Sequence, residues 1–241
     1  RIAASIVRSH SLMFRVPPIV LPLLLAASGA VLSAPSRQVF NFNPGWKLLT
    51  GDPQGAETPA FDDSAWKPVT LPHAWNEDSA FKVSIDQHPT GIAWYRKTFK
   101  LPAGSEGKKV FLEFEGIRQG GEFYLNGRSI GRHENGVTAF GFDVTDFINP
   151  PPASNLLAVR TDNAWDYREK ATKSRYQWSD KNFNANYGGI PKNVKLHLTD
   201  KLYQTLPLYS NLGSTGVYIH ASKFDLKAGS AVITAEAETR N

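Results

Sequence analysis

The sequence predicts an all-β chain folded as a β-sandwich of the plain or jelly-roll kind. Apolar and polar residues alternate with a period of two in many short segments, the pattern of half-buried strands. Gly, Pro and Asn punctuate those segments, and no stretch keeps a helical spacing for long. Many short strands joined by such turns build sandwiches and barrels.

Taken in order, Gln38–Phe42 is the first candidate strand, and Ala93–Phe99 follows. Val110, Leu112 and Phe114 then alternate with Phe111, Glu113 and Glu115. Phe123 and Leu125 lead into Asn126-Gly127, with Ser129-Ile130 beyond. Asn-Gly between two such runs predicts a hairpin, because both central residues of the primed turn need positive φ. Phe140–Val144 and Leu156–Thr161 come next. In the run 194–199, Val194, Leu196 and Leu198 face one way, and Lys195, His197 and Thr199 face the other, so His197 is expected at the surface. Trp46, Trp66 and Trp94 lie by apolar strands and are expected in or near the core. Asp62-Asp63-Ser64 reads as a turn, and Lys108-Lys109 as a solvated one.

One stretch breaks the rhythm. Residues 162–192 hold Trp165, Tyr167, Tyr176, Trp178, Phe183 and Tyr187 among Asp and Asn residues. A long irregular segment inside a compact domain is usually functional or disordered, and six aromatics oppose disorder. It is read as an ordered surface loop that builds a site. Pro207 and the cluster Asn211–Gly216 read as a linker to a second domain, of which Val217–His220 and Ala231–Ala237 are strands. Two or three strands make no independent sandwich, so this second unit is expected to be incomplete.

Composition narrows the chemistry. The 241 residues are 41% hydrophobic and 20% charged, in the globular range. With no Cys there is no disulfide, thiolate nucleophile or Cys-ligated zinc. The net charge of +5 comes largely from Arg1, Arg8 and Arg15 in a start without acids. No basic stripe suggests a nucleic-acid partner. Met13, Arg15, the apolar run Ile19–Ala27 and the small residues up to Ala34 have the order of a secretory signal, so 1–34 is assigned to upstream residues and a signal peptide, and the protein is expected to be secreted or periplasmic. The run is short for a membrane span of about 20 residues. The chain begins with Arg, so its true start is expected at Met13.

No nucleophile elbow, phosphate loop or His-Glu-x-x-His is present. The six His are scattered, and no metal site or cofactor is expected. Asn and Asp side chains supply directed donors and acceptors for sugar hydroxyls. Trp178, set among polar residues, could stack on a sugar ring.

Seven fragments in sequence carry a resemblance. They are Trp66–Trp75, Gly91–Phe99, Val110–Gly116, Tyr124–Gly127 with Ile130-Gly131, Phe140–Thr145, Asn155–Val159 and Tyr187–Ile190. In that order they resemble the N-terminal sugar-binding domain of glycoside hydrolase family 2, most closely its β-galactosidase-type members. The resemblance implies a galactose-binding-like jelly-roll sandwich, placed at residues 35–203, followed from 204 to 241 by the start of an immunoglobulin-like sandwich. It implies an N-terminal fragment of an exo-acting retaining glycosidase, taking terminal β-linked sugars of the β-galactoside type. Its two Glu would lie on a (β/α)8 barrel outside these residues, so no residue here is assigned as catalytic and the fragment is expected to be inactive. The implied partners are a carbohydrate and the barrel of its own chain, and a homo-oligomer is compatible. The alternative is a stand-alone carbohydrate-binding sandwich without catalysis. In the family, two loops of this domain reach the terminal sugar. One precedes Pro89-Thr90-Gly91, where β-galactosidases commonly carry Asn and this chain has His88, which can also bond a hydroxyl. The other precedes Tyr187–Ile190, where an Asp is frequent and Asp180, Asn182 and Asn184 stand. With Trp178 these are the candidate substrate-binding residues.

Overall fold

The computed structural model describes residues 37–134, 138–175 and 185–241. Among these residues the chain is a two-layer antiparallel jelly-roll sandwich whose only helical turns are three short 3-10 segments. One sheet orders β1 (Arg37–Asn41), β12 (Val194–Thr199), β6 (Lys109–Phe114) and β9 (Phe140–Asp143). The other orders β3 (Lys67–Val69), β2 (Trp46–Thr50), β5 (Ile92–Phe99), β10 (Asn155–Asp162), β7 (Gly120–Leu125) and β8 (Arg128–His133). A short pair, β4 (His73–Ala74) with β11 (Gly189–Ile190), lies outside both sheets.

Period-two alternation explains the core. Ala93 and Tyr95 of β5, Phe123 and Leu125 of β7, and Leu157 and Val159 of β10 face inward. They meet Val110, Leu112 and Phe114 of β6, Phe140 and Phe142 of β9, and Val194, Leu196 and Leu198 of β12. Phe123 bridges the layers: its ring lies 4.9 Å from Phe114, 5.3 Å from Phe140 and 4.9 Å from Phe142. The expected hairpin joins β7 to β8, with φ of 54° at Asn126 and 81° at Gly127.

Both outer sheet faces are also covered, which the alternation alone does not predict. On the six-stranded sheet, residues 51–66 fold over Trp94 and Ala158 and bring in Ala56, Phe61 and Trp66. Trp46, Trp66 and Trp94 are all buried, as expected, but Trp66 and Trp94 belong to this outer layer. Arg96, on the same face, is 2% exposed. Its Nε donates to Asp63 Oδ2 at 2.8 Å, and its two terminal nitrogens donate to the carbonyls of Ala56, Thr58 and Phe61. The Asp62-Asp63-Ser64 turn is present, with Ser64 N–H donating to Asp62 Oδ1 at 2.9 Å. Asp63 does more than turn the chain, because it also pairs with Lys47 at 2.6 Å. A buried guanidinium is tolerated only when paired and hydrogen-bonded, and this one is.

On the four-stranded sheet, Leu206 and Leu208 pack against Phe111. The segment whose composition suggests a linker is therefore part of the sandwich. This cover corrects the expectation for His197. It does point to the outer face, but it is 4% exposed and its Nε2 lies 2.7 Å from Glu113 Oε2. Lys109 is likewise the first residue of β6 and pairs with Asp143 at 2.6 Å, while Lys108 pairs with Asp200 at 2.7 Å.

Past Leu208 the chain is again strand. β14 (Val217–Asp225) and β15 (Ser230–Ala237) form a hairpin that leaves Ile219, Phe224 and Ile233 exposed. The final strand β16 (Thr239–Arg240) returns to pair with β13 (Tyr203–Gln204).

Phe123→Ala removes the ring that joins the two layers and is expected to cost about 3–5 kcal/mol of stability. A urea titration followed by Trp fluorescence should show the midpoint falling with an unchanged slope.

Candidate functional site at one end of the sandwich

At the end of the sandwich where β5 begins and β10 ends, irregular backbone converges from 75–91, 116–119, 162–164 and 185–189. Backbone groups drawn into the interior need partners, and three asparagines supply them. Asn76, 2% exposed, accepts from Gly188 N–H at 2.9 Å through Oδ1. Its Nδ2 faces Pro89 O at 2.6 Å, Asn186 O at 2.9 Å and His88 Nδ1 at 3.1 Å. Asn163 and Asn186 exchange amide-to-carbonyl bonds, Nδ2 to O, at 2.7 and 2.6 Å. Asn163 Oδ1 and N–H also bind the N–H and C=O of Gly91, at 3.1 and 3.0 Å.

Glycine is required where this knot meets the backbone. A Cβ on Gly188 would overlap the Trp75 indole nitrogen and the Asn163 amide. One on Gly189, at φ 111°, would overlap the Tyr95 hydroxyl. That is the physical content of Tyr187-Gly188-Gly189-Ile190. Gly189 pairs with Ala74 on one side and Arg118 on the other, and Gln119 N–H donates to Asp162 O at 2.8 Å.

His88 belongs to this knot. It is 4% exposed, and its ring meets Tyr187 edge-on at 5.5 Å. The Gly188 N–H and the two carbonyls fix which end of the Asn76 amide is oxygen, and the carbonyls of Pro89 and Asn186 take its two Nδ2 protons, with His88 Nδ1 a third neighbour at 3.1 Å. The other ring nitrogen, Nε2, is buried with no partner. Burial pushes the His88 pKa down, and that of His73, whose Nδ1 lies 3.1 Å from the Tyr95 hydroxyl, falls for the same reason. Trp178, Asp180, Asn182 and Asn184 lie outside the described residues. The described flanks of their loop form a small folded unit. Arg175 donates to Trp165 O at 3.2 and 3.0 Å, and Tyr167 donates to Glu134 at 2.6 Å.

Asn76, Asn163, Arg118 and Gln119 were not singled out from the sequence. Five residues of this end carry buried side-chain polar atoms without a hydrogen-bond partner: Trp75 Nε1, His88 Nε2, Arg118 Nε and Nη2, both amide atoms of Gln119, and Asn186 Oδ1. Elsewhere among the described residues the same holds only for the Nδ1 atoms of His197 and His220. Buried polar groups are normally satisfied, so this concentration makes this end of the sandwich the candidate site. Among the described residues no group of three or more His, Asp or Glu is placed to hold a metal ion.

An antiparallel jelly roll with convergent polar loops at one end is the architecture of galactose-binding-like domains. Residues 82–197 match the family model described as the glycosyl hydrolase 2 galactose-binding domain-like family. The chain belongs to glycoside hydrolase family 2, for which it supplies this domain. A β-glucuronidase of Formosa agariphila is 36% identical over 88% of the chain, and a β-galactosidase of Bacteroides ovatus is 32% identical over 84%. The solved structure of a family 2 β-glucuronidase superposes with a TM-score of 0.77 at 35% identity, over 88% of this chain and 22% of that one. The chain likewise spans 22% of the length of both curated relatives.

Two outcomes are expected of the knot. Asn76→Ala leaves one N–H and two carbonyls without their partner and should lower stability by about 3 kcal/mol or more. Asn76→Asp, which keeps the acceptor and loses the donor, should be comparably destabilised in the same denaturant titration. With its folded pKa depressed, His88 binds a proton more readily unfolded than folded. Stability should therefore be full above pH about 6.5, the unfolded value, and fall as pH drops below it. Thermal melts of His88→Gln between pH 7.5 and 5 should show a shallower loss than wild type, with His73 accounting for what remains.

Proposed function

We propose that this chain is the sugar-recognising front domain of a retaining exo-β-glycosidase. Its two carboxylates stand on a (β/α)8 barrel beyond these residues, about 5–5.5 Å apart. The family match over residues 82–197 carries this reading. The domain contributes no nucleophile or general acid. Its role is to close the barrel pocket with polar loops that hold the terminal sugar, His88 and the 178–184 segment among them. Residues 13–34 direct export from the cytoplasm.

The resemblance carried by the sequence fragments favours a β-galactoside substrate. A β-glucuronide is the second reading, favoured by the Formosa agariphila β-glucuronidase aligned with 88% of the chain. The test compares the purified 241-residue chain with the complete enzyme on 4-nitrophenyl β-D-galactoside and β-D-glucuronide. The chain alone should release no nitrophenol, and the complete enzyme should release it from at least one substrate. Turnover by the chain alone would remove the need for a barrel. An inert complete enzyme that binds sugars by calorimetry would make the domain a carbohydrate-binding module instead.

A further inference from the structure

Residues 51–66 leave part of the six-stranded sheet open. The cluster they form over β2, β5 and β10 ends at the half-buried ring of Tyr124 on β7. Beyond it, β7 and the edge strand β8 carry a groove of about 310 Å3 lined by Glu122, Tyr124, Ser129, Gly131 and Arg132. Glu122 pairs with Arg132 in register, and Tyr124 with Ser129. Ser129 and Arg132 are three residues apart, so plain alternation would send them to opposite faces. The register shift between the two pairs, beside Ile130, turns both toward the face that carries Tyr124.

Two of these side chains are held in place. Tyr124 stacks on Trp94, with centroids 5.8 Å apart and planes inclined by 28°, and its hydroxyl donates to Glu122 Oε2 at 3.3 Å. Lys170 donates to Glu122 Oε1, and Arg160 lies 3.9 Å from Oε2. Burial pushes the Glu122 pKa up, but Lys170, Arg160 and Tyr124 outweigh it, so the group stays below the usual range as an ionised acceptor. The other two are free: Ser129 and Arg132 are exposed, and neither side chain has a hydrogen bond or ion pair among the described residues. The groove therefore offers an aromatic wall, a fixed acceptor and unengaged donors. Glu122 opposes an anion, and Arg132 opposes a cation. An apolar segment would strip water from three polar side chains. A neutral pyranose suits all four groups. Its hydroxyls both donate and accept, and its C–H face lies on an aromatic ring. The volume is at the lower end of small-molecule sites.

We propose that this groove on β7 and β8 is a carbohydrate-binding site that seats a neutral pyranose unit of a glycan chain and anchors the protein to polysaccharide. Tyr124 is the platform, Glu122 the acceptor, and Arg132 with Ser129 supplies the groups that tie down hydroxyls. The site uses none of the residues of the knot around Asn76, and it needs no barrel to complete it.

The experiment is native affinity electrophoresis of the complete enzyme through gels containing soluble β-1,4-galactan, xyloglucan or polygalacturonate, against a gel without polymer. One or both neutral glycans should retard the wild type. Arg132→Ala should weaken that retardation by about 10-fold or more in apparent Kd, the loss of a charged hydrogen bond. Tyr124→Leu should weaken it as well. Tyr124 packs on Trp94, so that variant counts only if its thermal melt is unchanged; Arg132 is exposed, and its variant decides alone otherwise. No retardation by either neutral glycan overturns the assignment, as does retardation that Arg132→Ala leaves unchanged. Retardation by polygalacturonate alone makes the groove an anion site and overturns it too. A changed gel-filtration volume for Arg132→Ala, without glycan retardation of the wild type, makes this face a contact between copies instead. An enzyme that hydrolyses 4-nitrophenyl glycosides but runs freely in both neutral gels loses this site while the glycosidase reading stands.

Discussion

The end of the sandwich that carries the candidate site depends on one buried amide. Four stretches of irregular chain meet there, and each brings backbone groups that a sheet would have paired. Asn76 alone answers demands from Pro89, Asn186 and Gly188, residues up to 112 positions away. Asn163 and Asn186 complete the set by serving one another and Gly91. Carboxamides suit this work because each offers donors and an acceptor without charge. A carboxylate would meet the carbonyls with repulsion. Neutral, directional pairing lets loops of unrelated sequence position hold a common shape while leaving His88, Arg118 and Gln119 with unsatisfied groups beside it.

The rest of the domain frames that end. The inner faces pack aromatic against aromatic, Phe114, Phe123, Phe140 and Phe142 filling the centre. The outer faces are closed by different means. Residues 51–66 wrap a paired guanidinium, and residues 203–212 lay leucines on Phe111. Under each cover lies a buried ionisable group with a carboxylate partner, Arg96 with Asp63 and His197 with Glu113. Asp63 and Glu113 are both held below the usual carboxylate range. For Glu113 the bond from His197 leads, with Lys195 adding to it; for Asp63, Lys47 and Arg96 together outweigh its burial.

The strands were legible because their pattern is local. Val110–Phe114, Phe123–Leu125 and Val194–Leu198 announce an inner face within six residues, and Asn126-Gly127 announces its own turn. What covers an outer face is not local. Nothing around His197 reveals that Leu206 and Leu208 will lie over the same face, so its alternation points outward correctly and its exposure is misjudged. The site was legible only in outline. His88 could be picked out because it precedes Pro89-Thr90-Gly91. Asn76 and Asn163 have the composition of ordinary turns, and their importance comes from partners far along the chain. Arg118 sits between Ile117 and Gln119, just ahead of a glycine pair, where sequence gives no sign that part of its guanidinium is buried without a partner.

The return of β16 to β13 has a consequence for how such a chain can grow. Thr205 N–H donates to Glu238 O at 2.9 Å, Glu238 N–H to Gly216 O at 2.9 Å, and Thr215 N–H to the Glu238 carboxylate at 2.7 Å. The departing and returning strands are thereby clasped side by side, about 4.8 Å apart. Everything between residues 217 and 237 is a bight of chain tied off at its neck. Its length and shape can change with little loop-closure cost to the sandwich, because the neck keeps the same span whatever hangs from it. The clasp is a joint at which the neighbouring unit can be lengthened, trimmed or exchanged while the end of the sandwich built around Asn76 stays in register.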